Sequence, residues 1–151
     1  MSRWPLGEAD IERLIRDGEL ERVEGQAANG EPLLGKASQM LASARVVLPT
    51  DTDSAFVLAY DAARHAASAL LMQQGLRAST RGGHYAVYKA VEAQFGSGFR
   101  DFGYMRRRRN ELEYFKRTGD FATPAEAGQS IVDAETMIAA AQKLLDQLGL
   151  F

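Results

Sequence analysis

The residues best suited to chemistry lie in one short stretch of the sequence, from Arg106 to Tyr114. Residues of a helix are about 100° apart, so one side of this stretch carries an apolar series that consists of Phe102, Met105 and Leu112. Arg109 falls within the same series. Because an unpaired buried charge is costly, we expect Arg109 to meet a carboxylate, a backbone carbonyl, a neighbouring subunit or a phosphate.

A second side of the same predicted helix carries polar residues at spacings of four. Arg106, Asn110 and Tyr114 follow one another there, and Glu113 and Arg117 lie close to the same side of the helix. Guanidinium groups bind phosphate oxygens, and amide and phenol groups donate hydrogen bonds to them. The candidate binding residues on this stretch are therefore Arg106, Glu113 and Arg117.

The same stretch also fits a plain solvated helix face. Arg107 with Glu111, and Arg109 with Glu113, are spaced as i, i+4 ion pairs, each worth about 0.2–0.5 kcal/mol. This interpretation accounts for Arg107 and Arg108 better than for Arg109.

The charge of the chain is unevenly distributed. Between Arg77 and Arg117 there are ten basic and four acidic side chains, a net charge of +6, so the remainder carries −8 of the total of −2. A basic segment on an acidic protein favours either an anion-binding face or one half of a charge-complementary protein contact. Aromatic residues interleave with these cations and fit either a nucleic-acid platform or core packing; they are Tyr85, Tyr88, Phe99, Phe102 and Tyr104.

The composition excludes several kinds of site. The chain of 151 residues has no Cys, which rules out disulfides, zinc–thiolate sites and thiol nucleophiles, and its two His are few for a metal site. We expect no metal and no organic cofactor. No apolar run reaches the roughly 18 residues of a membrane span. Residues 1–7 lack the apolar core of a secretion signal, so we expect a cytoplasmic protein without a membrane partner.

Amphipathic periodicity predicts an all-α fold and no strand of useful length. Five helices are expected from residue 31 onward, over about residues 31–48, 51–74, 83–95, 99–116 and 124–148. Their spacing and short linkers favour an up-down antiparallel helical bundle. We expect residues 1–30 to form a short N-terminal helical arm with a linker, and residues 31–151 to form the bundle.

The spacing Arg109-Asn110-x-x-x-Tyr114, late in a five-helix chain, resembles the motif of the HEPN superfamily. In that family an Arg, usually followed by a polar residue such as Asn, precedes a His by four to six residues. The resemblance extends through helix order over about residues 31–148. It implies an up-down bundle that forms a homodimer, in which two motif helices meet in a cleft. Many members are metal-independent endoribonucleases of toxin–antitoxin pairs or antiviral defence, and others have lost the motif and serve as binding modules.

If the chain is active, the resemblance implies that its catalytic residues are Arg109, Asn110 and Tyr114. Tyr114 stands where the family has its His. An imidazole has a pKa of about 6.5 and a phenol of about 10, so the phenol moves protons poorly at neutral pH. Proton transfer contributes roughly 10²- to 10⁴-fold to a rate. Tyr114 can still donate a hydrogen bond to phosphate or stack on a base.

His84 is the nearby residue that could replace the missing imidazole, and we count it among the candidate binding residues. It follows Gly82 and Gly83 at a predicted helix start, where free backbone N–H groups favour an anion. A surface His without a special role fits the same position.

These observations lead to one expectation and two alternatives. We expect a HEPN-like component of a bacterial toxin–antitoxin or defence-type system, a homodimer that binds RNA, nucleotide phosphate or an antitoxin-type protein, with weakened or absent nuclease activity. The first alternative is an active metal-independent endoribonuclease in which Arg109 holds the phosphate and Tyr114 or His84 moves protons. The second is a pure protein-interaction module that docks its basic segment on an acidic partner.

Overall fold

Six α-helices and one small sheet make up the described part of the chain, which is residues 2–114 and 117–151 of a computed structural model. The elements in chain order are α1 (Glu8–Arg16), β1 (Leu20–Arg22), α2 (Glu31–Val47), α3 (Thr52–Gln73), β2 (Leu76–Ala78), α4 (Gly83–Phe95), α5 (Phe102–Tyr114) and α6 (Pro124–Leu145). Short 3₁₀ segments cover Gly25–Ala27 and Gly96–Phe99. The predicted all-α helical bundle is confirmed.

The two longest helices begin at residues that cap them. The Asp51 carboxylate accepts a hydrogen bond from the Ser54 backbone N–H at 3.0 Å, at the start of α3. At the start of α6, the Thr123 hydroxyl accepts from the Glu126 backbone N–H at 3.1 Å, and Pro124 occupies the first turn. Both caps satisfy backbone donors that have no partner within the helix.

Helix α3 is the central element because it contacts α2, α4, α5 and α6. Its buried side chains are small over most of its length: Ala55, Ala59, Ala62, Ala63, Ala66, Ala67 and Ala69 are all buried. Small side chains allow neighbouring backbones to approach closely. At the start of α2, a Cβ on Gly30 would lie 2.1 Å from the Ala69 carbonyl oxygen, so only glycine fits there.

Two three-residue segments form short strands that the sequence did not predict. β1 pairs antiparallel with β2, with Leu20 opposite Ala78 and Arg22 opposite Leu76. Three residues are too few to show the alternating pattern by which strands are predicted.

The boundaries of two predicted helices also differ. Helix α5 begins at Phe102 rather than near residue 99, because Gly96–Phe99 forms a 3₁₀ turn. The predicted end of that helix at residue 116 lies outside the described residues. Helix α6 ends at Leu145, three residues before the predicted end, although Leu148 remains buried beyond it.

The N-terminal segment packs on the bundle beside α4. Ile11 and Leu14 of α1 are buried, and α1 contacts α4. The Trp4 indole N–H donates to the Gln94 carbonyl oxygen at 3.0 Å, and the Trp4 ring packs on Phe95. None of the helices within residues 2–114 and 117–151 combines the length and apolarity required to cross a membrane.

Candidate functional site

A buried tyrosine and a histidine from different helices form the centre of the site. Tyr60 lies in the middle of α3 and is fully buried, and His84 lies in the first turn of α4. The Tyr60 hydroxyl oxygen is 3.2 Å from His84 Nδ1, a hydrogen bond whose direction depends on the imidazole tautomer. Phe102 of α5 stacks on the Tyr60 ring with centroids 5.6 Å apart. Residues of α3, α4 and α5 therefore meet around the Tyr60 ring.

Three arginines surround this pair, and we call them the arginine cluster: Arg64 of α3 with Arg106 and Arg109 of α5. The Nε atom of each is buried and has no hydrogen-bond partner within the described part of the chain. Unpaired buried donors are uncommon in folded proteins, and an arginine Nε–H can donate only to an acceptor. The Arg3 Nε atom is also unpaired among the described residues, but the Arg3 guanidinium stacks on the Phe151 ring elsewhere.

The protonation states of Tyr60 and His84 reflect burial and the charge of the cluster. Burial raises the pKa of Tyr60 to about 12, against the opposing effect of Arg64, Arg109 and Arg106. Burial and then the same positive charges lower the pKa of His84 below its usual value, despite Asp61. At neutral pH the site therefore holds a phenol and a neutral imidazole among three cations.

The carboxylates nearest to the cluster only partly compensate it. Arg64 Nε lies 3.7 Å from Asp61 Oδ1, and Arg109 Nη2 lies 3.6 Å from Glu113 Oε2. Arg109 also donates from Nη1 to Asn110 Oδ1 at 3.4 Å. All three distances exceed those of strong charge-assisted hydrogen bonds, which are about 2.7–2.9 Å. The predicted pair of Arg109 and Glu113 is thus confirmed, as a weak contact.

Because the arginines are partly buried, water compensates their positive charge less than it would at the surface. The side chains of Arg64 and Arg109 are only 26% and 19% exposed. Arg106 lies over the rings of Tyr85 and Tyr88, at 5.1 and 5.4 Å from their centroids, which is a cation–π arrangement. A cation–π contact does not use the N–H donors of the guanidinium group, so these donors can bind a second partner.

Arg108 is not part of a solvated face, and this corrects the interpretation from the sequence. Its side chain is only 12% exposed, and it donates to Asp120 at 2.8 and 2.9 Å. It also donates to Glu126 at 2.9 Å and to Glu111 at 3.1 Å. The predicted pair of Arg107 and Glu111 is wrong, because Glu111 binds Arg108 and Arg107 is exposed.

The four consecutive arginines therefore have separate environments. Arg108 joins α5 to the start of α6, where the Tyr104 hydroxyl also donates to Glu126 at 2.6 Å. Arg106 and Arg109 lie near enough to His84 for their charges to lower its pKa, and Arg107 is exposed. Consecutive residues of a helix point about 100° apart, which separates these roles.

The remaining predicted site residues lie at the edges of this arrangement. Asn110 and Glu113 contact Arg109. Tyr114 is 75% exposed at the end of α5, so it is not held in a fixed environment. Arg117 lines a separate cavity of about 660 Å³ with Arg108 and Asp120. The structure thus brings Arg106, Arg109 and His84 together and leaves Tyr114 and Arg117 outside that group.

Two residues of the site were missed in the sequence. They are Tyr60 and Arg64, which lies one turn further along α3. The signal that could have found them is a Tyr and an Arg at i and i+4 on a helix that is otherwise rich in alanine. A buried phenol needs a hydrogen-bond partner, and a cation beside it needs an anion.

The side chains of the site suit an anion better than a metal ion. Among the described residues, no three His, Asp or Glu side chains are grouped so that they could hold a metal ion. The chemistry open to the cluster is the binding of an anion, with a neutral imidazole beside it.

Comparison with known proteins finds no relative of this chain. No protein-family model matches the chain, and no curated protein and no solved structure shows significant similarity to it.

Proposed function

We propose that this chain is a HEPN-like, RNA-binding component of a bacterial toxin–antitoxin or defence-type system, with weak or absent nuclease activity. The observation that carries the proposal is the arginine cluster around Tyr60 and His84, with three buried guanidinium Nε atoms that have no partner among the described residues. The bacterial setting, the cytoplasmic location and an antitoxin-type partner rest on the resemblance of Arg109-Asn110-x-x-x-Tyr114 to the HEPN motif.

A phosphate is the anion that best fits the cluster. Guanidinium groups bind phosphate oxygens through pairs of parallel hydrogen bonds, and partial burial strengthens each contact. A phosphodiester provides two acceptor oxygens with one negative charge, which three cations and two weakly placed carboxylates can accommodate. The aromatic rings of Tyr85 and Tyr88 border the cluster through Arg106 and offer faces for unpaired bases.

A homodimer is part of the proposal. Val57, Leu58 and Leu112 line a groove of about 570 Å³ between α3 and α5, beside Glu113. This groove adjoins the cluster through the contact of Glu113 with Arg109. A second copy seated on this groove would bring two clusters close together, as the resemblance implies.

A second candidate function is a metal-independent endoribonuclease that uses His84. The observation in its favour is that the neutral imidazole, and not Tyr114, lies among the arginines. In such a reaction His84 would accept the proton of an RNA 2′-hydroxyl, and the 2′ oxygen would attack the phosphorus to form a 2′,3′-cyclic phosphate. The bond from phosphorus to the 5′ oxygen breaks, and that oxygen leaves as a hydroxyl after taking a proton from water. Arg109 and Arg64 would stabilise the negative charge that develops on the phosphate.

RNA binding is tested with fluorescence anisotropy on a short single-stranded RNA over a series of salt concentrations. We expect binding that weakens with salt, and Arg109→Ala should reduce the slope of log K against log salt by about 0.7 for each phosphate that the variant no longer neutralises. Arg107→Ala is the matched control, because Arg107 lies on the same helix and is exposed. Equal effects of the two variants, or no binding to RNA, would refute the proposal and favour a protein-interaction module.

Cleavage is tested on structured RNA in the presence of EDTA. We expect little or no cleavage. Activity that is lost in both Arg109→Ala and His84→Ala but retained in Tyr114→Phe would instead support the endoribonuclease. Activity lost in Tyr114→Phe would contradict the role given to His84.

A further inference from the structure

An asparagine is followed by a glycine at one place in the sequence, Asn29-Gly30, directly before α2. In a polypeptide, the backbone nitrogen of the residue after an asparagine can attack the side-chain amide carbon, Cγ. Glycine favours this reaction because it has no side chain to hinder the approach. Asn29 is exposed and Gly30 is buried, so this junction lies at the edge of the core.

The fold requires glycine at the second position of the junction. Gly30 is the N-cap residue of α2, and its carbonyl oxygen accepts from the Leu34 N–H at 3.0 Å. A Cβ on Gly30 would clash with the Ala69 carbonyl group of α3 and with the Leu145 side chain of α6. No other residue can therefore replace Gly30, and the reactivity of the junction depends on what surrounds it.

The fold activates the amide carbon of Asn29. The Oδ1 atom of Asn29 accepts a hydrogen bond from the Glu31 backbone N–H at 3.0 Å. This N–H belongs to the first turn of α2, where the helix dipole favours negative charge. Attack at Cγ places negative charge on Oδ1, so the Glu31 N–H stabilises this charge as an oxyanion-hole donor does.

The attacking nitrogen, in contrast, is protected. The Gly30 N–H donates to Oε1 of Gln73, the last residue of α3, at 2.9 Å. An amide nitrogen attacks only after a base has removed its proton, and a hydrogen-bonded, buried N–H loses its proton slowly until the bond opens. The junction therefore combines an activated carbon with a nitrogen that a single side chain holds back.

We propose that Asn29 is a site of spontaneous modification whose rate is controlled by Gln73. When the bond from Gly30 to Gln73 opens, a base takes the amide proton and the Gly30 nitrogen attacks Asn29 Cγ. The new N–Cγ bond closes a succinimide ring, the Cγ–Nδ2 bond breaks, and Nδ2 leaves as ammonia after taking a proton from water. Water then opens the ring at either carbonyl, which gives aspartate or isoaspartate at position 29.

The two products affect the start of α2 differently. Aspartate keeps the length of the main chain and places a carboxylate at a helix N-terminus, which is favourable. Isoaspartate adds one methylene group to the main chain immediately before Gly30. Because Gly30 packs directly against the Ala69 carbonyl group, the added atom displaces the start of α2 from α3.

The test follows the tryptic peptide of residues 23–36 by mass spectrometry while the full chain is kept at mildly alkaline pH. Conversion appears as the mass gained when an amide becomes a carboxyl group, and Asn29→Ser should abolish it. We expect Gln73→Leu to convert about fivefold faster than the native chain, the factor that corresponds to a lost hydrogen bond of about 1 kcal/mol. Gln73→Glu should convert near the native rate, because a carboxylate accepts the same bond.

Arg45→Ala is the matched control. Arg45 also lies on α2, but it pairs with Glu135 of α6 far from the junction, so this variant loosens the helix without removing the acceptor of Gly30. Circular dichroism checks that each variant is folded. Equal conversion rates in the native chain and Gln73→Leu, the same acceleration in Arg45→Ala, or conversion that persists in Asn29→Ser would overturn the inference.

Thermal unfolding tests the difference between the products. Chains that contain isoaspartate should unfold at a lower temperature than the native chain, and Asn29→Asp should unfold like the native chain. Native midpoints in chains that contain isoaspartate would overturn the effect assigned to that product.

Discussion

The Tyr60 hydroxyl and the Nδ1 atom of His84 share a hydrogen bond of 3.2 Å between α3 and α4. This bond restrains the orientation of the imidazole ring. The three arginines nearby oppose protonation of the same ring. The orientation of the His84 ring therefore depends on α3, and its pKa depends on charged residues of α3 and α5.

Phosphate binding is expected to strengthen as the pH falls. Burial and the arginine charges lower the pKa of His84 in the free protein, and a bound anion would offset those charges and raise it. A ligand that raises a pKa is bound together with a proton, so its affinity increases as the pH drops toward the usual imidazole value of about 6.5. The measurement is titration with sulfate, whose charge is constant over this range, and His84→Gln should flatten the profile. A native profile that is already flat would contradict this assignment.

Loss of the Tyr60 hydroxyl should reduce stability. Tyr60→Phe removes the partner of His84 Nδ1 and keeps the packing of the ring on Phe102. We expect the free energy of unfolding to fall by about 1 kcal/mol, the usual net value of one hydrogen bond. Urea unfolding gives the value, and Tyr114→Phe is the matched control because that phenol is largely exposed. Equal stability of the two variants would show that the Tyr60–His84 bond contributes nothing.

Arg108 should contribute more to stability than its neighbours on α5. Arg108→Ala would leave the carboxylates of Glu111, Asp120 and Glu126 close together without their shared cation. Because the carboxylates are partly exposed, we expect a loss of about 2 kcal/mol, between the values for exposed and buried pairs. Arg107→Ala should cost less than about 0.5 kcal/mol, as is usual at the surface. Thermal unfolding of the two variants compares them directly, and similar midpoints would contradict the prediction.

The Arg108 network also predicts an acid dependence of stability. Hydrogen bonds from Arg108 lower the pKa of Asp120, and those from Arg108 and Tyr104 lower that of Glu126 against the effect of burial. Carboxylates with a depressed pKa stabilise the folded state above their unfolded pKa of about 4, and this contribution is lost as the pH falls through the lower folded value. Arg108→Ala should therefore lose less stability between neutral and acidic pH than the native chain does. Parallel pH profiles would show that other carboxylates dominate.

The proposed dimer should depend on the groove between α3 and α5. Val57→Lys places a charge in the groove that Leu58 and Leu112 also line. A desolvated, unpaired lysine in an interface is costly, so we expect the chain to become a monomer. Light scattering after size-exclusion chromatography gives the mass. Val132→Lys on α6 is the control, since Val132 is exposed and lies outside the groove; a native monomer, or a dimer in both variants, would refute the proposed interface.

The sequence predicted the helices well because their signals are local. The apolar periodicity placed the starts of α3 and α6 correctly, and the structure shows that Asp51 and Thr123 cap these starts. The strands β1 and β2 could not be predicted, because each has three residues and their pairing joins segments more than fifty residues apart. Such a contact leaves no periodic trace in either segment.

The candidate site was only partly predictable for a similar reason. Arg109 was singled out because it interrupts an apolar series, and it does lie in a partly buried position. The role of Arg108 could not be read from α5 alone, because its partners Asp120 and Glu126 follow in the next loop and helix. Tyr60 resembled any core aromatic until the fold placed His84 beside it.

The paired amides of Gln74 and Gln94 have a bearing on the precision of the site. Each side chain donates to the oxygen of the other, at 2.9 and 2.8 Å, and both are buried. Sliding α4 along α3 by a single residue would break both hydrogen bonds and leave the two buried side-chain amides unpaired, so this pair favours one alignment of the two helices. His84 lies almost three turns before Gln94 on the same rigid helix. The Gln74–Gln94 pair at the C-terminal end of α4 therefore helps to fix the position of His84 relative to Tyr60 along the helix axis. Substitutions near Gln94 are expected to displace the imidazole from Tyr60.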